Sequence, residues 1–276
     1  MLKTIVAAAA LLSAVPAAAQ DSQPLPDPND RSDFWQLAGG IGYTPDYEGS
    51  DDYRIIPAVA LRGRFHGLDI STNATYLYVD VIPPSDKIDI LLGPIAGVRL
   101  NRSGKIEDDV VKLLPDRKTA FEIGGFAGVA FKGLTNPYDS LSFRLDVVKD
   151  VANAHKSTVF TPNVSFSTPL SRSFYVSASM SADFVADKYA DYYFSISPDD
   201  AADSGLPVFD ADGGRKNWKL GLLGNYALSG DLTKGWSIFA TGSYSHLRGD
   251  FKRSPIVDDR GSASQWFAAA GLAYTF

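Results

Sequence analysis

The side chains with the clearest potential for catalysis are the three histidines, His66, His155 and His246. Nucleophilic catalysis needs a nucleophile, a base and a group that orients the base, and the sequence contains no GxSxG elbow. His66 and His246 fall near the ends of predicted strands, whereas His155 falls in a predicted turn. We therefore predict no catalytic residue and no enzyme. A serine paired with one of these histidines is the alternative.

A second cluster that could do chemistry is acidic. Asp210, Asp212 and Gly213 look like half of a calcium loop. Three more aspartates lie nearby in the sequence: Asp199, Asp200 and Asp203. A complete loop needs further oxygen ligands and a late bidentate Glu, which the sequence does not supply. We predict a solvated acidic loop and assign no metal ligand and no cofactor, with contact to a divalent cation as the alternative.

Charged residues also recur at alternate positions of the strand-like segments. Alternate residues of a strand point to opposite faces, and in residues 88–100, 120–132, 141–148, 174–184 and 218–228 apolar residues oppose charged ones. The predicted inward-facing charges are Asp89, Arg99, Glu122, Lys132, Arg144, Asp146, Asp183 and Lys219. If the sheet closes into a narrow barrel, such charges pair across the lumen and fill it, whereas in a wider barrel they line a water channel. Both alternatives stay open.

The last segment, residues 266–276, indicates what the apolar faces contact. Its sequence is WFAAAGLAYTF, and Trp266, Leu272, Tyr274 and Phe276 fall on one face of a strand. That face is apolar in the middle and aromatic at both ends, as in strands that cross an outer membrane between two aromatic girdles. We predict that its even-numbered residues face lipid. These four residues are also the predicted assembly signal for the barrel assembly machinery.

The connections between the strand-like segments alternate in length. Tight turns at residues 170–172 and 230–234 alternate with long polar connections at 101–118, 189–215 and 248–264. Outer-membrane barrels have short periplasmic turns and long external loops. The sequence therefore predicts an all-β fold: a single antiparallel transmembrane β-barrel of about twelve strands. No segment fits the apolar spacing of a helix better than it fits the alternating pattern of a strand.

Two local features affect the strand count and the ladders. A hairpin near Thr72 and Asn73 is needed for an even number of strands, although its two halves are short. Pro57, Pro94 and Pro162 lie inside strand-like runs. A proline has no N–H to donate to a ladder, so we expect bulges or strand ends at these positions.

The N-terminal residues carry an export signal rather than part of the fold. Residues 1–19 have the positive start, apolar run and small-residue cleavage site of a signal peptide. Residues 20–33 read as a flexible lead-in, and residues 34–276 as the barrel. Removal of Lys3 changes the formal charge from −6 to −7, which disfavours nucleic acid as a partner. The predicted location is the outer membrane of a Gram-negative cell, in contact with its lipid.

Three runs closely resemble the MltA-interacting protein / outer-membrane protein V (MipA/OmpV) family. They are GIGYTPDYEGSDDYR at residues 40–54, SGLPVFDADGG at 204–214 and SPIV at 254–257. The resemblance implies an outer-membrane barrel. It also implies a scaffold that holds a lytic transglycosylase near a penicillin-binding protein during peptidoglycan growth. Members are also linked to adhesion and small-molecule passage, so an adhesin or a channel is the alternative function. The family has no catalytic motif to carry over.

Overall fold

Twelve antiparallel strands form a closed barrel in the computed structural model, which describes residue 27 and residues 30–229 and 231–276. The predicted signal peptide lies outside the described residues, as does most of the predicted lead-in. The wall consists of β1 (Phe34–Pro45), β2 (Tyr53–Phe65), β3 (Leu68–Asn73), β4 (Tyr76–Asp80), β5 (Ile88–Arg99), β6 (Ala120–Lys132), β7 (Ser140–Asp150), β8 (Thr158–Pro169), β9 (Phe174–Ser181), β12 (Asn217–Ala227), β13 (Gly235–Leu247) and β14 (Ser264–Thr275). Two short strands, β10 (Phe184–Val185) and β11 (Gly214–Arg215), extend the sheet beyond the wall.

Each strand pairs with its sequence neighbour around the wall, and β14 pairs with β1. The hairpin predicted near Thr72 and Asn73 is confirmed, because β3 turns into β4 directly after Asn73. Both halves are short, as the sequence indicated. The twelve-stranded antiparallel barrel is thus confirmed. No helix in the described part of the chain has the length and apolar character needed to span a membrane.

The alternation in β14 follows the prediction. Trp266 and Phe276 are each 60% exposed on the outer surface, whereas the odd-numbered Ala269 and Ala273 are buried. Aromatic pairs lie at both ends of the apolar surface. Trp266 contacts Tyr244 at one end, and at the other end Tyr274 lies next to Trp236. These two aromatic levels are typical of the girdles at the two membrane interfaces.

The three prolines lie inside continuous strands and not at strand ends, so that part of the expectation is wrong. Each proline lies at a position where its strand has no paired residue on one side. Pro57 lies on β2 beyond the last residue that pairs with β3. Pro94 lies one residue beyond the three pairs between β4 and β5, where Asp80 Oδ1 accepts from the N–H of Leu92. Pro162 lies between the residues of β8 that pair with β9 and with β10. A residue without an N–H is tolerated at each interruption.

The hydrophobic core lies at one end of the barrel. The long connections at residues 46–52, 100–119, 151–157, 182–216 and 248–263 pack together there, and we call them the outer cap. They contain α1 (Asp187–Phe194), α2 (Pro198–Ser204), α3 (Gly249–Arg253), α4 (Pro255–Asp258) and a 3-10 helix (Val111–Leu113). Buried residues of the cap include Tyr47, Tyr193, Phe194, Phe251 and Ile256. These helices were not predicted, because each is too short to show a long apolar repeat.

Candidate functional site

Helix α1 places Tyr189 at the centre of a buried polar cluster beneath the outer cap. The Tyr189 hydroxyl donates to Glu48 Oε2 at 3.1 Å and lies 3.2 Å from Lys216 Nζ. The Lys216 ammonium contacts Glu48 Oε1 at 2.6 Å and Asp183 Oδ2 at 3.2 Å. Lys216 is 1% exposed. One lysine and one tyrosine therefore join the β1–β2 loop, α1 and the two ends of the 182–216 connection.

Burial and charge act in opposite directions on this cluster. Burial alone lowers the pKa of Lys216, but the Glu48 and Asp183 carboxylates raise it well above its usual value. Burial alone raises the pKa of Asp183, but the Lys216 ammonium lowers it well below its usual value. Burial raises the pKa of Tyr189 to about 12. At neutral pH the lysine is charged and the tyrosine is a neutral donor.

A second buried cluster, centred on Glu122, adjoins the first. Arg99 contacts the Glu122 carboxylate through Nε at 2.9 Å and Nη2 at 3.0 Å. His155 Nε2 lies 2.8 Å from Glu122 Oε1, and the Tyr76 hydroxyl donates to Oε2. Two groups lie near the Tyr189 ring centroid: the Arg99 guanidinium at 5.4 Å and the His155 ring centroid at 5.0 Å. Tyr189 thus links the two clusters.

Four of the inward-facing charges predicted from the sequence form ion pairs along the wall. Asp89 and Lys132, on neighbouring strands, form an ion pair at 2.8 Å. Arg144 and Asp146 form one at 2.7 Å within β7. The other predicted members of the set lie in the two clusters just described, or next to them: Arg99, Glu122, Asp183 and Lys219. The sequence left open whether these charges pair across the lumen or line a channel, and the two pairs described here join immediate neighbours in the sheet.

Further bonds connect the cap loops over the clusters. Arg102 Nη1 donates to the carbonyl of Tyr193 at 3.1 Å. Ser254 Oγ donates to the carbonyl of Phe194. Arg260 and Asp108 form an ion pair at 2.8 Å between two loops. Two of these contacts hold the C-terminal end of α1, and the N–H of Gly213 donates to Asp187 at its N-terminal end. The helix is thus held at both ends across the outer end of the lumen.

The three histidines occupy different environments. His155 is 2% exposed and is bound to Glu122. His66 has a φ of 51° in the turn between β2 and β3. His246 Nδ1 lies 3.2 Å from Ser264 Oγ, whose other side-chain contact is the Tyr244 hydroxyl. Within the described residues no carboxylate is bonded to His246, so this serine–histidine pair lacks the orienting group of a triad.

The acidic loop is organised by hydrogen bonds. Asp200 and Ser197 form a capping box at the start of α2. The N–H of Asp212 donates to Asp250 Oδ2, and that of Gly213 donates to Asp187 Oδ1. Across the described part of the chain, no group of three or more His, Cys, Asp or Glu residues could hold a metal ion.

Sequence reasoning missed Lys216, Glu48 and Tyr189. Lys216 directly precedes β12 and Glu48 lies in a loop, so neither belongs to an alternating segment. The buried face of α1 had a signal, because Tyr189, Ala190, Tyr193 and Phe194 repeat at helical spacing. The Ser197–Asp200 capping box was a signal for α2.

Several outer-membrane proteins resemble this chain in sequence or in fold. Outer membrane protein Omp26La of Vibrio anguillarum is 36% identical over 88 residues, which are 32% of this chain and 31% of that protein. The alignment thus spans about a third of the length of this curated relative. The NanC porin superposes with a TM-score of 0.50 at 10% identity, over 87% of this chain and 98% of that one. This likeness shows the fold alone. An outer-membrane channel from Pseudomonas putida F1 gives a TM-score of 0.44 at 11% identity, over 94% and 99% of the two chains.

The family comparison covers nearly the whole barrel. The family described as MltA-interacting protein MipA matches residues 37–276, from β1 to the C-terminal phenylalanine. The matched range includes Glu48, Tyr189 and Lys216 of the buried cluster. The chain therefore belongs to the MipA family and is a β-barrel of the outer membrane.

Proposed function

We propose that this barrel is a structural protein that holds a lytic transglycosylase, and through it a penicillin-binding protein, at the periplasmic face of the outer membrane. One observation carries the proposal. The outer end of the lumen is crossed by α1, with Tyr189 and Lys216 bound to residues on several sides of the barrel. A mouth closed by buried ion pairs suits a static anchor better than a passage for solutes. The family description, MltA-interacting protein, supplies the class of partner.

The proposed partner surface is small. The periplasmic turns are short, including residues 66–67 and 170–173, so they offer little area to a large stable interface. The proposal therefore predicts a transient complex that needs crosslinking for capture. It includes no catalytic role for the barrel, because the His246–Ser264 pair lacks a bonded carboxylate within the described residues.

The test is chemical crosslinking in intact cells, followed by purification of the tagged full-length barrel and mass spectrometry. We expect enrichment of a lytic transglycosylase and a penicillin-binding protein over a tagged barrel of another family at the same abundance. Equal recovery with both barrels would overturn the proposal. The channel alternative is tested separately by conductance in planar bilayers. The proposal expects no steady conductance from the intact protein at neutral pH.

A further inference from the structure

The wall of the barrel is incomplete on one side of β2. This strand pairs with β1 from Tyr53 to Arg64, but its pairing with β3 runs only from Phe65 to Arg62. Residues 53–60 have no strand beside them on that side. The last residue of β5 that pairs with β4 is Gly97, which lies close to the upper end of β5. We call the opening above the β3–β4 hairpin, between residues 53–60 and the end of β5, the side window.

The geometry of the sheet gives the window its size. Neighbouring strands are about 4.8 Å apart, and the two strands that stop short are β3 and β4. The window is therefore about two strands wide. Its long edge on β2 is roughly 25 Å, at about 3.3 Å per residue. Among the described residues no ladder joins β2 to β5.

The lower and upper ends of the window are defined by specific bonds. At the lower end, Thr72 Oγ1 accepts from the N–H of Leu61 at 2.9 Å and donates to its carbonyl at 3.4 Å, so a side chain ends the β2–β3 ladder. At the upper end, the N–H of Glu48 donates to Asn101 Oδ1 at 2.9 Å, which joins the loops after β1 and β5. The opening is thus bounded above and is continuous with the wall below.

The window lies at the depth of the membrane hydrocarbon. On β2, Ile55 is 72% exposed and Val59 is 76% exposed. They lie between Tyr53, which stacks on Tyr43 at 4.8 Å, and Phe65, whose ring centroid is 6.5 Å from that of Trp35. Aromatic residues at the two ends of an apolar row mark the two interfaces. The window therefore opens toward the acyl chains of the outer leaflet.

The edge of the window is polar although its surroundings are apolar. Leu61 directs its N–H and carbonyl toward β3, so the N–H groups of Ile55 and Val59 face the window by the period of two. By the same period, neither N–H points toward β1, and no strand pairs with residues 53–60 on the side of the window. Pro57, in the same row, has no N–H to leave unpaired. Open sheet edges are not stable in hydrocarbon unless they line a water-filled cavity, so this edge needs water or a polar ligand.

The interior behind the window can accept a polar head group. The inner face of β2 is small at Ala60, which is exposed. Arg54 lies higher on the same inner face, 3.3 Å from Asp46 Oδ1. The Arg54 side chain is 41% exposed. A carboxylate or phosphate head group would contact the exposed part of its guanidinium, and an acyl chain would lie against Ile55 and Val59.

We propose that the side window is a hydrated lateral portal that binds an anionic single-chain amphiphile. Its chain lies in the outer leaflet and its head group enters the lumen toward Arg54. Because α1 crosses the outer mouth, the window provides a route between lumen and membrane that does not pass through the cap. This inference does not depend on the proposed murein function.

The first test uses the wild-type barrel in nanodiscs of outer-membrane lipid with a fatty acid that carries a diazirine near its carboxylate. After illumination, peptide mass mapping is expected to find adducts on the inner face of β2, near Arg54. Adducts confined to the lipid-facing surface, or spread evenly around the barrel, would overturn the portal. No variant is needed, so this result does not depend on mutant folding.

The second test measures hydration. The chain has no cysteine, so single reporters can be introduced cleanly. Val59→Cys is compared with Leu222→Cys, because Leu222 is 68% exposed on β12, which is paired on both sides. A membrane-impermeant thiol reagent is expected to modify Val59→Cys at least tenfold faster. Equal rates would overturn the portal, including the case in which a partner strand covers the edge.

The third test concerns the head group. Arg54→Met is expected to lower fatty-acid crosslinking at the window at least fivefold, while the rate of thiol modification in Arg54→Met/Val59→Cys stays unchanged. Folding of each variant is verified by heat-modifiable gel mobility. Unchanged crosslinking in a folded Arg54→Met barrel would overturn the assignment of the anionic head group.

Discussion

Lys216→Met should loosen the outer cap while leaving the barrel wall intact. The substitution keeps a flexible side chain of similar length and removes the ammonium that contacts Glu48 and Asp183. Removal of one partner from a buried ion pair costs about 3–5 kcal/mol, because the remaining charge stays buried. We expect the lower end of this range. Asp183 keeps bonds from Thr161 and Asn217, and Glu48 keeps the Tyr189 hydroxyl.

The assay is hydrogen exchange of the α1 amides, read by mass spectrometry on the barrel in lipid. A loss of about 3 kcal/mol corresponds to an increase of roughly 150-fold in the opening equilibrium, since about 1.4 kcal/mol is a factor of ten. The amides of α1 should lose that much protection, whereas those of the strand ladders should not change. The matched control is Lys219→Met. Lys219 is exposed, and within the described residues it has no ion pair inside 4.0 Å.

Unchanged exchange of α1 in Lys216→Met would refute the reasoning, because the cluster would then contribute nothing to closure. Equal loss of protection in α1 and in the wall would also refute it, because the cap and the barrel would then unfold as one unit. The same variant is informative in planar bilayers. An opened cap should give a steady conductance that the wild type and Lys219→Met lack.

The pH dependence of the cap follows from Asp183, whose pKa is lowered in the folded state chiefly by the Lys216 ammonium, against the effect of burial. A carboxyl group whose pKa is lower in the folded state than in the unfolded state stabilises the folded state at pH values above its unfolded pKa, about 3.9. This stabilisation is lost as the pH falls toward the folded pKa. The cap should therefore stay closed from neutral pH down to about pH 4, and only below it should the α1 amides lose protection relative to their intrinsic exchange rates. Opening already at pH 6 would implicate another group.

Three further predictions concern the wall. Gly40→Ala should prevent folding, because its Cβ would lie 2.1 Å from a backbone oxygen of β14. Gly39→Ala should be tolerated, because no heavy atom lies within 4 Å of the added Cβ. Equal heat-modifiable gel mobility of the two variants would contradict this prediction. Glu122→Gln should destabilise the barrel by about 3 kcal/mol, measured as a lower temperature of the gel-mobility transition, and an unchanged temperature would show that the cluster is dispensable. Deletion of Phe276 should reduce the amount of protein in the outer membrane far more than Phe131→Ala does. Burial of either aromatic side chain contributes only about 1.5–3 kcal/mol, so burial alone would not distinguish them. Equal losses of the two variants in fractionated cells would leave Phe276 no role in assembly.

The sequence was sufficient for the wall because the wall follows a local rule. A period of two in β14 distinguishes lipid-facing Trp266 and Phe276 from buried Ala269 and Ala273 without any knowledge of the neighbouring strands. The short hairpin near Thr72 was also predictable, since an antiparallel barrel with both ends on one side requires an even number of strands.

The cap could not be predicted by the same rule. Its contacts join residues far apart in the chain, as with Glu48 and Lys216, and no periodicity says which loops meet. The pairing of Arg144 with Asp146 also depended on geometry. A strand in a tilted wall brings i and i+2 together on the inner face, whereas the distance across the lumen is set by the strand number.

The hydrophobic core lies in the outer cap, at the opposite end of the barrel from the periplasmic turns where the murein partner is proposed to bind. Most barrel strands contact lipid on one face and a polar lumen on the other, so the wall is held mainly by its ladders. The cap, in contrast, has its own buried aromatic residues, including Tyr193 and Phe251. Damage to the cap should therefore spare the periplasmic turns, where the murein partner is proposed to bind. The edge of β2 is held by its ladder with β1. Lys216→Met and Arg54→Met should thus both retain partner capture, and loss of capture in either folded variant would mean that the outer and periplasmic ends are coupled through the wall.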